Sequence, residues 1–182
     1  MTLRRVVSAS LIALVAGFAV CVRAAPGDAP SPLSGCRIDD GPSQALRIYE
    51  CQERLRLTAE ARTRFAAIEQ DGRLVGVRIT EGAVLVDAPG KFRVVTGDAV
   101  TEFRSARVAV DKSGDGTAVL VRDGGASVSR EDRSVVLASG EGIDVPMIPK
   151  SRSVKRTPAP ALEATRWAKE RTGQLMARLG QR

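Results

Sequence analysis

From residue 45 onward, apolar and polar positions alternate in short runs. Leu46 to Cys51 alternates, and Leu55 to Thr58 continues the pattern. Arg73–Thr80, Ala83–Asp87, Phe92–Thr96 and Arg107–Asp111 follow. Thr117–Arg122, Ala126–Arg130, Ser134–Ser139 and Ile143–Val145 complete the set. Turn-forming residues separate them at Asp71-Gly72, Glu81-Gly82, Pro89-Gly90, Gly97-Asp98, Asp115-Gly116, Gly124-Gly125 and Gly140-Glu141-Gly142. Close-spaced strands bounded by Gly, Pro and Asp predict a mainly β domain built of hairpins, a β-sandwich or β-roll. Period two is clearest at Val108/Val110 and Val119/Val121, which would share a buried face. Arg107, Ala109, Leu120 and Arg122 then point the other way. Leu120 on that outer face implies a second surface covering it.

Both ends break the pattern. Arg4 and Arg5 precede an apolar run from Val6 to Val22, and Val22-Arg23-Ala24 offers small residues for cleavage before Ala25. This reads as a secretory signal over 1–24, with an uncleaved anchor as the alternative. Val20 before Cys21 is not the small residue that a lipoprotein site wants. A flexible leader, rich in Pro and small residues at its start, occupies 25–44, ahead of the β-domain at 45–146. Residues 147–160 form a Pro-punctuated basic linker. Residues 161–180 predict one amphipathic helix with Ala164, Ala168, Leu175 and Leu179 on a face, Trp167 beside them and Gly180 past its end. The helix is expected to cap the open side of the β-domain, or else to be a free membrane or partner helix.

Composition narrows the chemistry. There is no histidine, which removes the commonest general base and every His-ligated metal site. Aromatic residues make up 3%, so Val, Ala and Leu must fill the core. With export, Cys21 leaves with the signal, and Cys36 and Cys51 are most simply a disulfide. Charge is uneven: residues 150–182 carry a net +7 and residues 25–149 a net −3. Lys150, Arg152, Lys155, Arg156 and Trp167 are thus the candidate interaction residues. Their partners would be an envelope protein or an anionic polymer or lipid surface, not nucleic acid. The plain alternative is a solvated tail that docks on the acidic domain.

Two stretches invite sharper readings. In Val110 to Ala118, Asp111, Ser113, Asp115 and Gly116 match the start of an EF-hand calcium loop. Position twelve is Arg122, which repels the ion, and the flanks read as strands. A hairpin turn is the expectation there, and no metal or cofactor is expected. Asp98 and Glu102 could pair on one strand face for histidine-free glycoside hydrolysis. Solvated outer charges explain them more simply, and the chain is expected not to be an enzyme.

Ile79 to Val145 resembles the FecR-type periplasmic domain. The resemblance rests on Gly82-Ala83-Val84-Leu85-Val86, on Phe92-Arg93-Val94-Val95-Thr96, on the Thr117–Val128 hairpin and on Leu137–Val145 with its Gly140-Glu141. The front cysteines and the tryptophan near the C-terminus also look like small exported members of that family. This chain departs from the family at Thr96-Gly97-Asp98-Ala99, where a proline and a glycine are usual. It departs again at Arg104-Ser105-Ala106, where a central glycine is usual. Few residues precede the apolar run, so the cytoplasmic regulatory region of sigma-factor regulators is not expected. The resemblance implies an extracytoplasmic, periplasmic or secreted binding or signalling module and brings no catalytic residues. A structural or adaptor protein held to the envelope by its basic tail is the alternative.

Overall fold

The computed structural model describes residues 33–40, 43–147 and 161–181. The apolar N-terminal run, Cys21, and Lys150, Arg152, Lys155 and Arg156 lie outside the described residues. Within them the protein is mainly antiparallel β with one C-terminal helix. The strands are β1 (Arg37–Asp40), β2 (Leu46–Glu50), β3 (Arg56–Glu60), β4 (Arg64–Gln70) and β5 (Arg73–Val95). They continue as β6 (Val100–Ser113), β7 (Gly116–Asp123), β8 (Gly125–Arg130), β9 (Arg133–Ala138), β10 (Glu141–Pro146) and β11 (Thr165–Arg166). Helix α1 spans Lys169–Arg178. The sheet runs β1-β2-β3-β5-β6-β7-β10-β11, with β4 added to β5 and the β8–β9 hairpin added to β6.

Three predicted strands are one. β5 absorbs Arg73–Thr80, Ala83–Asp87 and most of Phe92–Thr96. The Glu81-Gly82 and Pro89-Gly90 signals are therefore irregularities in a continuous strand. Pairing with β4 slips between Arg64 and Phe65, opposite Glu81 and Ile79. Gly82 sits at φ 89° against Thr63, where a Cβ would come within 2.6 Å of the Thr63 hydroxyl. Pairing with β6 slips between Ala88 and Lys91. Such bulges bend a strand without ending it. The bend is large. A Cβ on Gly76 would lie 2.5 Å from the Arg93 carbonyl of the same strand. Straight, those positions would stand roughly 55 Å apart. β5 thus folds the sheet over on itself as a roll.

β1 and β4 were not legible as strands. β4, Arg-Phe-Ala-Ala-Ile-Glu-Gln, lacks strict alternation and is rich in helix formers, yet pairing with β5 decides its state. The helix is shorter than the pattern implied. Thr165 and Arg166 pair as β11 with Gly142 and Glu141, and α1 begins only at Lys169. The ladder on β10 captures the first part of the predicted helix.

The roll encloses one core. Val77, Ile79, Val84, Val86, Phe92, Val94, Val108, Val110, Val119 and Val121 pack together inside it. A smaller cluster lies on the outer face, where Ala83, Leu85, Ala109 and Leu120 meet Trp167, Leu175, Met176 and Leu179. The covering surface that Leu120 required is the C-terminal segment. Cys36 and Cys51 are bonded, fixing the start of β1 beside the end of β2.

Candidate functional site

Two polar assemblies and one groove stand out on this body. The first lies at the end where the β5–β6, β6–β7 and β8–β9 turns meet the close of β10. Thr96 directly follows β5, and its hydroxyl oxygen accepts the amides of Asp98 (3.3 Å) and Ala99 (3.1 Å). A threonine thus builds this turn, at the Thr96-Gly97-Asp98-Ala99 stretch. The Thr117 hydroxyl donates to Asp98 Oδ2 at 3.0 Å and meets the Thr96 hydroxyl at 2.8 Å. Lys112 Nζ lies 3.1 Å from the same carboxylate oxygen, and the two side chains are 12% and 6% exposed. Asp98 is therefore a buried, fully compensated carboxylate.

This arrangement corrects the proposed carboxylate pair. Asp98 lies in the turn before β6, not on the strand. Glu102 is exposed in mid-strand opposite Arg93 and Ser127. The calcium-like stretch is the β6–β7 hairpin, with Gly114 and Asp115 at its tip. Ser113 Oγ accepts the Asp115 amide at 3.3 Å. Asp111, the first candidate ligand, is held by Arg178 (Nη1–Oδ2 2.6 Å).

The second assembly is the seam between the C-terminal segment and the sheet. Leu175, Met176 and Leu179 bury the apolar face of α1. Trp167 is 8% exposed and lies over Gly142, where a Cβ would come 2.6 Å from the indole ring. The candidate interaction residue Trp167 thus engages the chain's own sheet. Arg171 stacks on the indole, 3.8 Å from the ring centroid, and grips both Asp144 oxygens. Arg178 forks onto Glu60 of β3 at 2.8 and 2.9 Å while also binding Asp111 of β6. The bond to Glu60, then that to Asp111, pushes the Arg178 pKa further above its ordinary value. Two donors at this seam, Arg107 Nε and Trp167 Nε1, are buried without a partner.

None of these pairings was legible beforehand, because Glu60, Asp111 and Asp144 come from three distant strands. One signal was present. Arg171 and Arg178 are seven residues apart with Leu175 between them, which puts both along the same edge of the apolar stripe.

The groove, about 440 Å³, lies beside the disulfide and is lined in part by Cys51, Leu55, Leu74, Lys91 and Phe92. Glu53 and Arg54, in the turn after β2, both hold positive φ (59° and 63°). Nearby, Ser105 holds φ 50°, and its hydroxyl donates to the Pro89 carbonyl at 2.7 Å across the bulge.

Among solved structures, the chain is similar to two crystal structures of a "putative anti-sigma factor" from Parabacteroides distasonis ATCC 8503. Both give a TM-score of 0.53, at 15% and 14% identity, over 70% of this chain and 58% of that one. At that identity the likeness is one of fold, and this chain spans less than two thirds of that protein. No family model matches the chain, and no curated protein matches it.

Proposed function

We propose that this protein is an exported, non-enzymatic β-module of the FecR type. It would act in envelope signalling by binding another envelope component. The observation that carries this reading is the fold shared with the Parabacteroides protein over 70% of the chain. The Gly82–Val86, Phe92–Thr96 and Thr117–Val128 motifs support it, because they fall on or directly beside the strands β5, β7 and β8. A fold hosts many functions, so the test must be functional.

The adaptor reading, with a basic tail holding the protein to the envelope, has less support. Arg171 and Arg178 are engaged on the protein's own carboxylates. Among the described residues, no helix is long and apolar enough to cross a membrane.

The gene is deleted in the source organism and the transcripts of extracytoplasmic stress genes are measured. The reading predicts a reproducible change that is restored by the full chain and not by a chain starting at Ala25, which would stay in the cytoplasm. An unchanged profile under envelope stress, or rescue by the chain lacking 1–24, would sink it.

A further inference from the structure

Helix α1 is weak on its own terms. It has ten residues, fewer than an isolated helix needs to persist in water. Ala168 at its start gives no side-chain cap. Gly173 sits in mid-helix, where a Cβ would meet nothing within 4 Å, so packing does not require the glycine that weakens the helix. The ladder that leads into it, β10–β11, is two residue pairs long. The seam also buries Arg107 Nε and Trp167 Nε1 without a partner, a cost that opening removes. The cap is therefore held by Trp167, Leu175, Met176 and Leu179, and by ion pairs that solvent screens.

The surface beneath it has a definite chemistry. Ala83, Leu85, Ala109 and Leu120 form an apolar stripe across β5, β6 and β7. Glu60, Asp111 and Asp144 border it from β3, β6 and β10. Among the described residues, Arg171 and Arg178 are the only cations paired with these three carboxylates. Arg107, at the same seam, bonds Gln181 instead. Freed of α1, the face would be an apolar stripe edged by three unmatched negative charges. Such a face repels anionic lipids and polymers, and it calls for cations spaced along an apolar helix. α1 supplies that pattern, with arginines seven residues apart and Leu175, Met176 and Leu179 on the adjoining face.

We propose that this outer sheet face is a docking groove for a basic amphipathic helix of a partner protein, and that the C-terminal segment fills it in cis as a displaceable cap. This names a surface for the binding role proposed above and rests on that reading for the existence of a partner.

The probe is a synthetic helical peptide without tryptophan. It carries arginine at its first and eighth positions, and leucine, methionine and leucine at its fifth, sixth and ninth, on an alanine and glutamine background. It is titrated into the oxidised, ¹⁵N-labelled protein while Trp167 emission and amide shifts are followed. The groove predicts saturable binding that red-shifts Trp167 emission and moves the amides of Leu85, Ala109 and Leu120. Arg178→Met loosens the cap and should bind the peptide about fivefold tighter. The same peptide with glutamate in place of both arginines should not bind. No saturable binding to either the wild type or Arg178→Met, binding without the Trp167 shift, or equal binding of the glutamate peptide would overturn the proposal. Concentration-dependent dimers of Arg178→Met would overturn it too, by giving the groove to a second copy. The two readings fail separately: lost peptide binding removes the groove, and an unchanged transcript profile removes the signalling role.

Discussion

At Gly142 one methyl group separates a closed seam from an open one. The Trp167 indole occupies the volume a Cβ would need, and the Val119 carbonyl lies 2.8 Å from the same point. Gly142→Ala should destabilise the protein by about 1–3 kcal/mol. The chain has a single tryptophan, so its fluorescence reports the seam directly. Urea unfolding followed at that signal should show the loss of stability, together with red-shifted emission in the folded state. Unchanged emission would mean that Trp167 is not seated there. At Lys112 the issue is charge. Lys112→Met leaves the Asp98 carboxylate buried and unpaired and should cost about 3–5 kcal/mol. Lys112→Met combined with Asp98→Asn should recover most of that loss. Chemical denaturation of the single and double variants checks it, and equal loss in both would contradict the pairing. These sites were hard to see in the sequence. Gly142 read only as part of a turn, and Asp98 read as an outer charge, because Lys112 lies fourteen positions away, near the far end of β6.

Helix α1 is held to the sheet by few but directed contacts. Arg178 is 46% exposed on its side chain, so its two ion pairs are partly screened. Arg178→Met should therefore cost only about 1 kcal/mol. The loss should be local, seen as faster amide exchange at Leu175–Leu179 while β5 and β6 exchange as before. Equal acceleration throughout the sheet would show that the helix is integral to the fold. The folded-state pKa of Arg178 is raised, so its contribution is in place through neutral pH and is lost only as pH climbs past the guanidinium range. Docking should thus be flat on the alkaline side of neutrality. At this scale the sequence was most informative where burial is one-sided. The valine alternation of β6 and β7 placed both faces correctly, and Leu120 announced the cap. It was least informative where backbone geometry decides. Pro89-Gly90 looks like a turn, yet Ser105 opposite it takes up the bulge and β5 continues.

Across the whole molecule, the roll depends on β5 bending far enough to bring Gly76 against Arg93. Local pattern carries no trace of a contact between two ends of one strand. The mainly β class, a roll as one of two architectures, and the cap were legible, and the bend of β5 that makes the roll was not. The Cys36–Cys51 bridge acts at this scale too, because it ties the edge strand β1 to the body. Closing a loop of this length contributes roughly 3 kcal/mol. Reduction should lower the unfolding free energy by about that amount and free the amides of β1 and β2 to exchange, leaving β5–β7 protected. Global unfolding on reduction would mean that the front hairpin nucleates the fold.

The proposed function requires that the module leave the cytoplasm and be oxidised outside it. The most direct test is the intact mass of the protein recovered from a periplasmic fraction, before and after reduction. The prediction is a chain beginning at Ala25 that gains the hydrogens of one disulfide on reduction. A full-length chain confined to membranes, or a processed chain whose mass does not change on reduction, would contradict it.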